Sequence, residues 1–71
     1  MSPMDYCLLV QRAVRNSRPA SCEQSDFNDW FGDTGRAATS LSYAIEGKQS
    51  KALTIAERLA EKYSDEFSRL T

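Results

Sequence analysis

The sequence predicts an all-α protein, a compact bundle of four short helices, or five if the C-terminal turn is a separate one. Apolar residues recur every three or four positions along most of the chain, which is the period of an amphipathic helix. No segment alternates apolar and polar residues over a useful length, so no sheet is expected. A chain of 71 residues is the size of one small domain. We therefore treat residues 1–71 as a single helical domain.

The first helix is expected over residues 3–16. Ser2 is a favourable N-cap, and Pro3 suits the first helical position, where no backbone N–H is needed. Pro19 disfavours helical backbone in the residue before it, so the helix should end near residue 16. The apolar face of this helix is expected to include Met4, Cys7, Leu8 and Val14.

The second helix is expected over residues 22–31. Ser21 and Gln24 have the spacing of a capping box, and Gly32 can end the helix in the left-handed conformation. One face is aromatic, and because so short a chain has few other large residues, we expect this face to anchor the core. The aromatic residues are Phe27, Trp30 and Phe31.

Two more helices are expected, over residues 36–46 and 50–63. Asp33 and Thr34 can cap the third helix, Gly47 can end it, and Ser50 can cap the fourth. The inward stripe of the third helix is expected to hold Ala37, Ala38, Leu41, Ala44 and Ile45. Its opposite face is expected to carry Arg36, Ser40 and Tyr43, with Thr39 at the edge.

Composition excludes several classes of protein. No run is long enough to span a membrane and no signal-peptide pattern is present, so a cytoplasmic protein is expected, with Cys7 and Cys22 reduced. The chain has no histidine, which removes the usual general base and the commonest metal ligand. We therefore expect no enzymatic activity, no metal and no cofactor. Asp26, Asp29 and Asp33 are spaced along one helix flank and do not form a calcium loop.

The stretch GRAATSLSYAIEGK, residues 35–48, resembles the recognition-helix region of lambda-repressor-like helix-turn-helix proteins, particularly the short Ner-type phage regulators. The resemblance covers roughly residues 22–63. It implies a transcription regulator of phage or mobile-element type that binds double-stranded DNA, with a homodimer as one arrangement. The DNA-binding residues that it implies are Arg36, Thr39, Ser40 and Tyr43, with Lys48 and Lys51 on phosphates.

A second hypothesis keeps the helical scaffold without DNA binding. The net charge is −1, whereas a DNA-binding domain usually carries a basic surplus. On this interpretation the chain is a phage-type modulator of transcription that binds a protein, either the host RNA polymerase or a repressor. The protein-binding surface would then be the acidic and aromatic second helix, with Asp26, Asp29, Asp33 and an exposed Trp30. The pattern of residues 35–48 favours the first hypothesis, and the charge balance favours the second.

Overall fold

A computed structural model describes all residues, 1–71, as four helices without a strand. The helices are α1 (Pro3–Asn16), α2 (Gln24–Ile45), α3 (Gln49–Lys62) and α4 (Ser64–Leu70). The predicted all-α bundle is confirmed, although two of the predicted helices are merged into one. α1, α2 and α3 each pack against the other two, and α4 lies against α1 and α3. None of the four combines the length and apolarity that crossing a bilayer requires.

α1 has the bounds predicted from the capping residues at its N-terminus and from Pro19 after its C-terminus. The Ser2 hydroxyl accepts a hydrogen bond from the Asp5 backbone N–H at 3.2 Å, and Pro3 occupies the first turn. At the other end, the Ser17 N–H donates to the Val14 carbonyl at 3.1 Å. The Ser17 hydroxyl donates to the Ala13 carbonyl at 2.8 Å. Both ends of the helix are therefore capped by serine.

α2 is one unbroken helix of 22 residues, so the predicted stop at Gly32 and the predicted turn over residues 32–35 are wrong. Gly32 and Gly35 both keep negative φ, since Gly47 is the only residue with positive φ. The Thr34 hydroxyl, predicted to cap a new helix, donates to the Phe31 carbonyl within the helix at 2.6 Å. Tertiary contacts at Asp33, described below, hold the middle of the helix and outweigh the weak helix propensity of the two glycines.

Two predicted N-caps are also misplaced. α2 begins after Glu23, whose backbone N–H donates to the Ser21 hydroxyl at 3.0 Å. α3 begins after Lys48, so Ser50 lies inside the helix and does not cap it.

Gly47 ends the α2 segment as predicted. With φ of +82°, it adopts the left-handed conformation that follows many helices. The Lys48 N–H donates to the Tyr43 carbonyl at 2.8 Å, and the Gly47 N–H donates to the Ala44 carbonyl at 3.2 Å. These two bonds form a Schellman motif, which turns the chain so that α3 runs antiparallel to α2.

The core is built from small side chains, and the predicted aromatic core is only partly right. Trp30 and Phe27 are partly buried, but Phe31 is 64% exposed. Met4, Leu8 and Ile45, all predicted to face inward, are also exposed. The buried cluster consists of Cys7, Val10, Val14, Ala37, Ala52, Ala56, Leu59 and Ala60.

Candidate functional site

Asp33 is the centre of a polar network that joins α2 to the end of α3. Its side chain is 4% exposed and accepts hydrogen bonds from Arg36 Nη1 at 2.8 Å and from the Tyr63 hydroxyl at 2.5 Å. Lys62 Nζ lies 2.7 Å from both the Asp33 and the Asp29 carboxylates. A buried carboxylate needs such partners, because without them its desolvation would be costly.

The network shifts the pKa values of its members. Burial by itself raises the pKa of Asp33, but hydrogen bonds from Lys62 and Tyr63 outweigh it and hold the pKa below its usual value. Burial, together with the hydrogen bond to Asp33, raises the pKa of Tyr63 to about 12. Hydrogen bonds to Asp29 and Asp33 raise the pKa of Lys62. At neutral pH the network therefore holds charged Asp33 and Lys62 with a neutral Tyr63 that donates.

These contacts engage most of the acidic and aromatic surface predicted on the second helix. Asp33 is enclosed by its own partners, and Asp29 is paired with Lys62. Trp30 points to the interior, where its Nε1–H donates to the Val14 carbonyl at 2.7 Å. Of the four residues predicted for this surface, only Asp26 is both exposed and without an ion pair. The network links α2 to the end of α3.

The predicted DNA-binding face is present only in part. Ser40 is fully buried and donates to the Ala37 carbonyl at 2.8 Å, so the expectation that it faces solvent is wrong. Its position three residues after the buried Ala37 places it on the inward face. Thr39 is exposed but donates to the Gly35 carbonyl at 3.0 Å. The Arg36 guanidinium is exposed and paired with Asp33.

The remaining three predicted residues do come together at the turn between α2 and α3. The Lys48 and Lys51 ammonium groups each lie 5.7 Å from the centroid of the Tyr43 ring, within the range of cation–π attraction. Further along α3, Arg58 lines a groove together with Arg36. Lys48, Lys51 and Arg58 have no ion-pair partner. Sequence reasoning missed Arg58, although Lys48, Lys51 and Arg58 follow helical spacing.

A separate groove lies between α1 and α2, with a volume of about 340 Å³. Its walls bring together long side chains of α1 and a short, open stretch of α2. A Cβ atom built on Gly35 would meet no other atom within 4 Å, so the backbone of α2 is open to an approaching molecule there. The residues that line the groove are Gln11, Arg15, Phe31, Thr34, Gly35 and Ala38.

Exposed apolar and basic side chains flank this α1/α2 groove. Phe31 is 64% exposed, and Leu8, on an adjoining hollow that shares Gln11 and Arg15, is 45% exposed. No acidic residue lines either hollow, and Arg12 and Arg15 have no ion-pair partner. The surface thus combines two exposed apolar side chains, one on each hollow, with unpaired arginines, of which Arg15 lines both hollows.

The sequence contained a signal for this groove. The apolar face of α1 is wide, and Met4 and Leu8 stay exposed on it although α1 packs against three other helices. Arg12 and Arg15 are most simply interpreted from the sequence as a solvated flank. The place of Arg15 beside Phe31 depends on the packing of α1 against α2, which no local pattern contains.

Compared with known proteins, the chain matches no family model, no curated protein and no solved structure. Its side chains include no cluster of histidine, cysteine, aspartate or glutamate that could hold a metal ion. Cys7 is buried and Cys22 is exposed, and both thiols are free.

Proposed function

We propose that this chain is a non-enzymatic protein-binding module that docks its partner on the α1/α2 groove. The observation that carries the proposal is the exposed ring of Phe31 at this groove. Exposed apolar residues that form a patch with a polar rim mark interaction surfaces in small domains. Leu8 adds a second exposed apolar side chain on the adjoining hollow, and Arg12 and Arg15 supply positive charge beside it.

This proposal corresponds to the second of the two functions expected from the sequence, with a different surface. A recognition helix in the repressor-like arrangement needs a turn before it and free polar residues along it. Here residues 32–35 are helical, Ser40 is buried and Arg36 is held by Asp33. The resemblance to phage regulators makes cytoplasmic proteins of transcription, such as RNA polymerase or a repressor, the first partners to test.

Photo-crosslinking tests the proposed surface. A photoreactive phenylalanine analogue at position 31 should give adducts of defined mass in the native host cells, because a docked partner covers this side chain. The same analogue at Thr54, which is exposed on α3, should give none of these adducts. The partner identified by mass should then bind the purified wild-type protein and lose affinity for Phe31→Ala. Equal adducts from both positions, or none from position 31, would contradict the proposal. An adduct of twice the chain mass would identify a homodimer.

DNA binding remains a second candidate because of the cluster of Tyr43, Lys48 and Lys51, with Arg58 further along α3. Unpaired cations beside an aromatic ring suit a phosphate backbone. If this cluster binds DNA, a random duplex should bind at low salt and weaken as salt rises. The double variant Lys48→Ala/Lys51→Ala should then flatten that salt dependence, as measured by fluorescence anisotropy. Absence of binding at low salt excludes this candidate.

A further inference from the structure

We infer that the α1/α2 groove takes an acidic amphipathic helix of a partner protein. The inference rests on the proposed function and specifies the chemistry of the partner. Three properties of the groove carry it, namely the satisfied backbone of its walls, its shape, and the sign of the charge around it.

A helical occupant suits the groove because the groove walls offer no backbone hydrogen bonds. Both walls are α-helices, whose N–H and C=O groups are paired within the helix. An extended peptide usually binds by adding a strand to a sheet edge, which this fold does not have. A helix satisfies its own backbone and needs only side-chain contacts, as when amphipathic helices bind apolar grooves.

The groove, taken together with the adjoining hollow that Leu8 lines, suits a helix about two turns long. Leu8 and Arg15, both on α1, are seven residues apart and thus separated by about 10 Å along the axis. Across from them, the ring of Phe31 stands beside Gly35, where the α2 backbone is open. Apolar side chains of the partner can therefore contact Leu8 and Phe31 and approach α2 closely at Gly35.

The charge around the groove requires an acidic partner. Arg12 and Arg15 have no carboxylate partner within the chain, and no acidic residue lines the groove. Glutamate residues beside the apolar face of an incoming helix would meet these two guanidinium groups. Lysine at the same positions would be repelled, so the pair of arginines also rejects basic helices.

Titration of the isotope-labelled full chain with designed helical peptides tests this inference by NMR. Three peptides share leucine anchors at positions i, i+3, i+4 and i+7 and carry glutamate, glutamine or lysine at the flanking positions. The glutamate peptide should shift the amides of Gln11, Arg15, Phe31 and Gly35. It should bind about tenfold more tightly than the glutamine peptide, since two rim charges take part, and the lysine peptide should not bind.

Matched variants separate charge from shape. Arg12→Glu/Arg15→Glu should reverse the preference to the lysine peptide, whereas Lys48→Glu/Lys51→Glu, with the same charge change on another face, should leave it unchanged. Gly35→Leu should abolish binding by filling the groove while the melting temperature is kept, because the space above Gly35 is open.

Several results would overturn the inference. One is equal affinity of the glutamate and glutamine peptides, and another is amide shifts confined to the α2–α3 face. A third is amide shifts at the groove that depend only on protein concentration, because these would make a second copy of the chain the occupant. If no peptide binds but crosslinking from position 31 succeeds, the proposed surface stands and the acidic helix is wrong. If crosslinking fails as well, the proposed function fails.

Discussion

Replacing Trp30 with alanine is expected to lower the free energy of unfolding by about 3–5 kcal/mol, as for other large aromatic truncations. The Trp30 ring packs against the core cluster, and its Nε1–H donates to the Val14 carbonyl in the last turn of α1. The substitution leaves a cavity between α1 and α2 and removes this hydrogen bond. Urea denaturation followed by circular dichroism measures the loss.

Two neighbouring variants make the Trp30 prediction specific. Trp30→Phe keeps much of the apolar contact and loses the hydrogen bond, so it should cost less than the alanine variant. Phe31→Ala removes a ring of similar size from an exposed position and should change stability by no more than about 0.5 kcal/mol. If Phe31→Ala costs as much as Trp30→Ala, Phe31 is a core residue and its assignment to the binding surface is wrong.

Asp33→Asn is expected to lower the free energy of unfolding at pH 7 by about 1.5–3 kcal/mol, the range for hydrogen bonds to charged groups. The amide keeps the size of the side chain but not the charge that pairs with Arg36 and Lys62. The side-chain NH₂ group of the new asparagine would also face groups that donate hydrogen bonds to Asp33, namely those of Arg36, Lys62 and Tyr63. Urea denaturation at pH 7 and pH 3 measures the effect. Asp26→Asn, at an exposed aspartate without an ion pair, is the matched control and should have no effect.

The pH dependence of the Asp33 contribution follows from its lowered pKa. A carboxyl whose pKa is lower in the folded state stabilises the fold fully above its unfolded pKa, about 4. That contribution is lost as the pH falls through the folded pKa. The difference between wild type and Asp33→Asn should therefore shrink from pH 7 to pH 3, and an unchanged difference would contradict the prediction. Tyr63 has the opposite pH dependence. Its pKa in the folded state is raised, so its contribution to stability is lost as the pH rises through about 12.

The parts of the fold that local chemistry determines could be predicted from the sequence. Ser2 and Pro3 begin α1 at the predicted position, and Gly47, in the left-handed conformation, follows the end of α2. The prediction errors arise where contacts between residues distant in the sequence determine the local structure. Gly32 is a reasonable helix stop by itself, but Asp33 beside it is held by Lys62 and Tyr63 from the far end of α3.

The candidate site was harder to predict for the same reason. Ser40 lies four residues after Arg36 and three before Tyr43, a spacing that predicts one shared outer face, but Ser40 also lies three residues after the buried Ala37 and is itself buried. Phe31 is expected in the core because so short a chain has few other large residues to fill it. Its exposure follows from the continuity of α2, which fixes which aromatic side chains of this helix face α1 and α3.

The proposed surface depends on the continuity of α2 through residues 32–35, because a continuous helix has no repressor-like turn and places Phe31 on the α1/α2 groove with Thr34 and Gly35. Backbone NMR of the intact chain tests this directly. We predict helical Cα shifts for Gly32, Asp33, Thr34 and Gly35, with an unbroken series of contacts from the α proton of each residue to the amide three residues later. Non-helical shifts and rapid amide exchange at these four residues would show that α2 is interrupted there and would restore the helix-turn-helix interpretation.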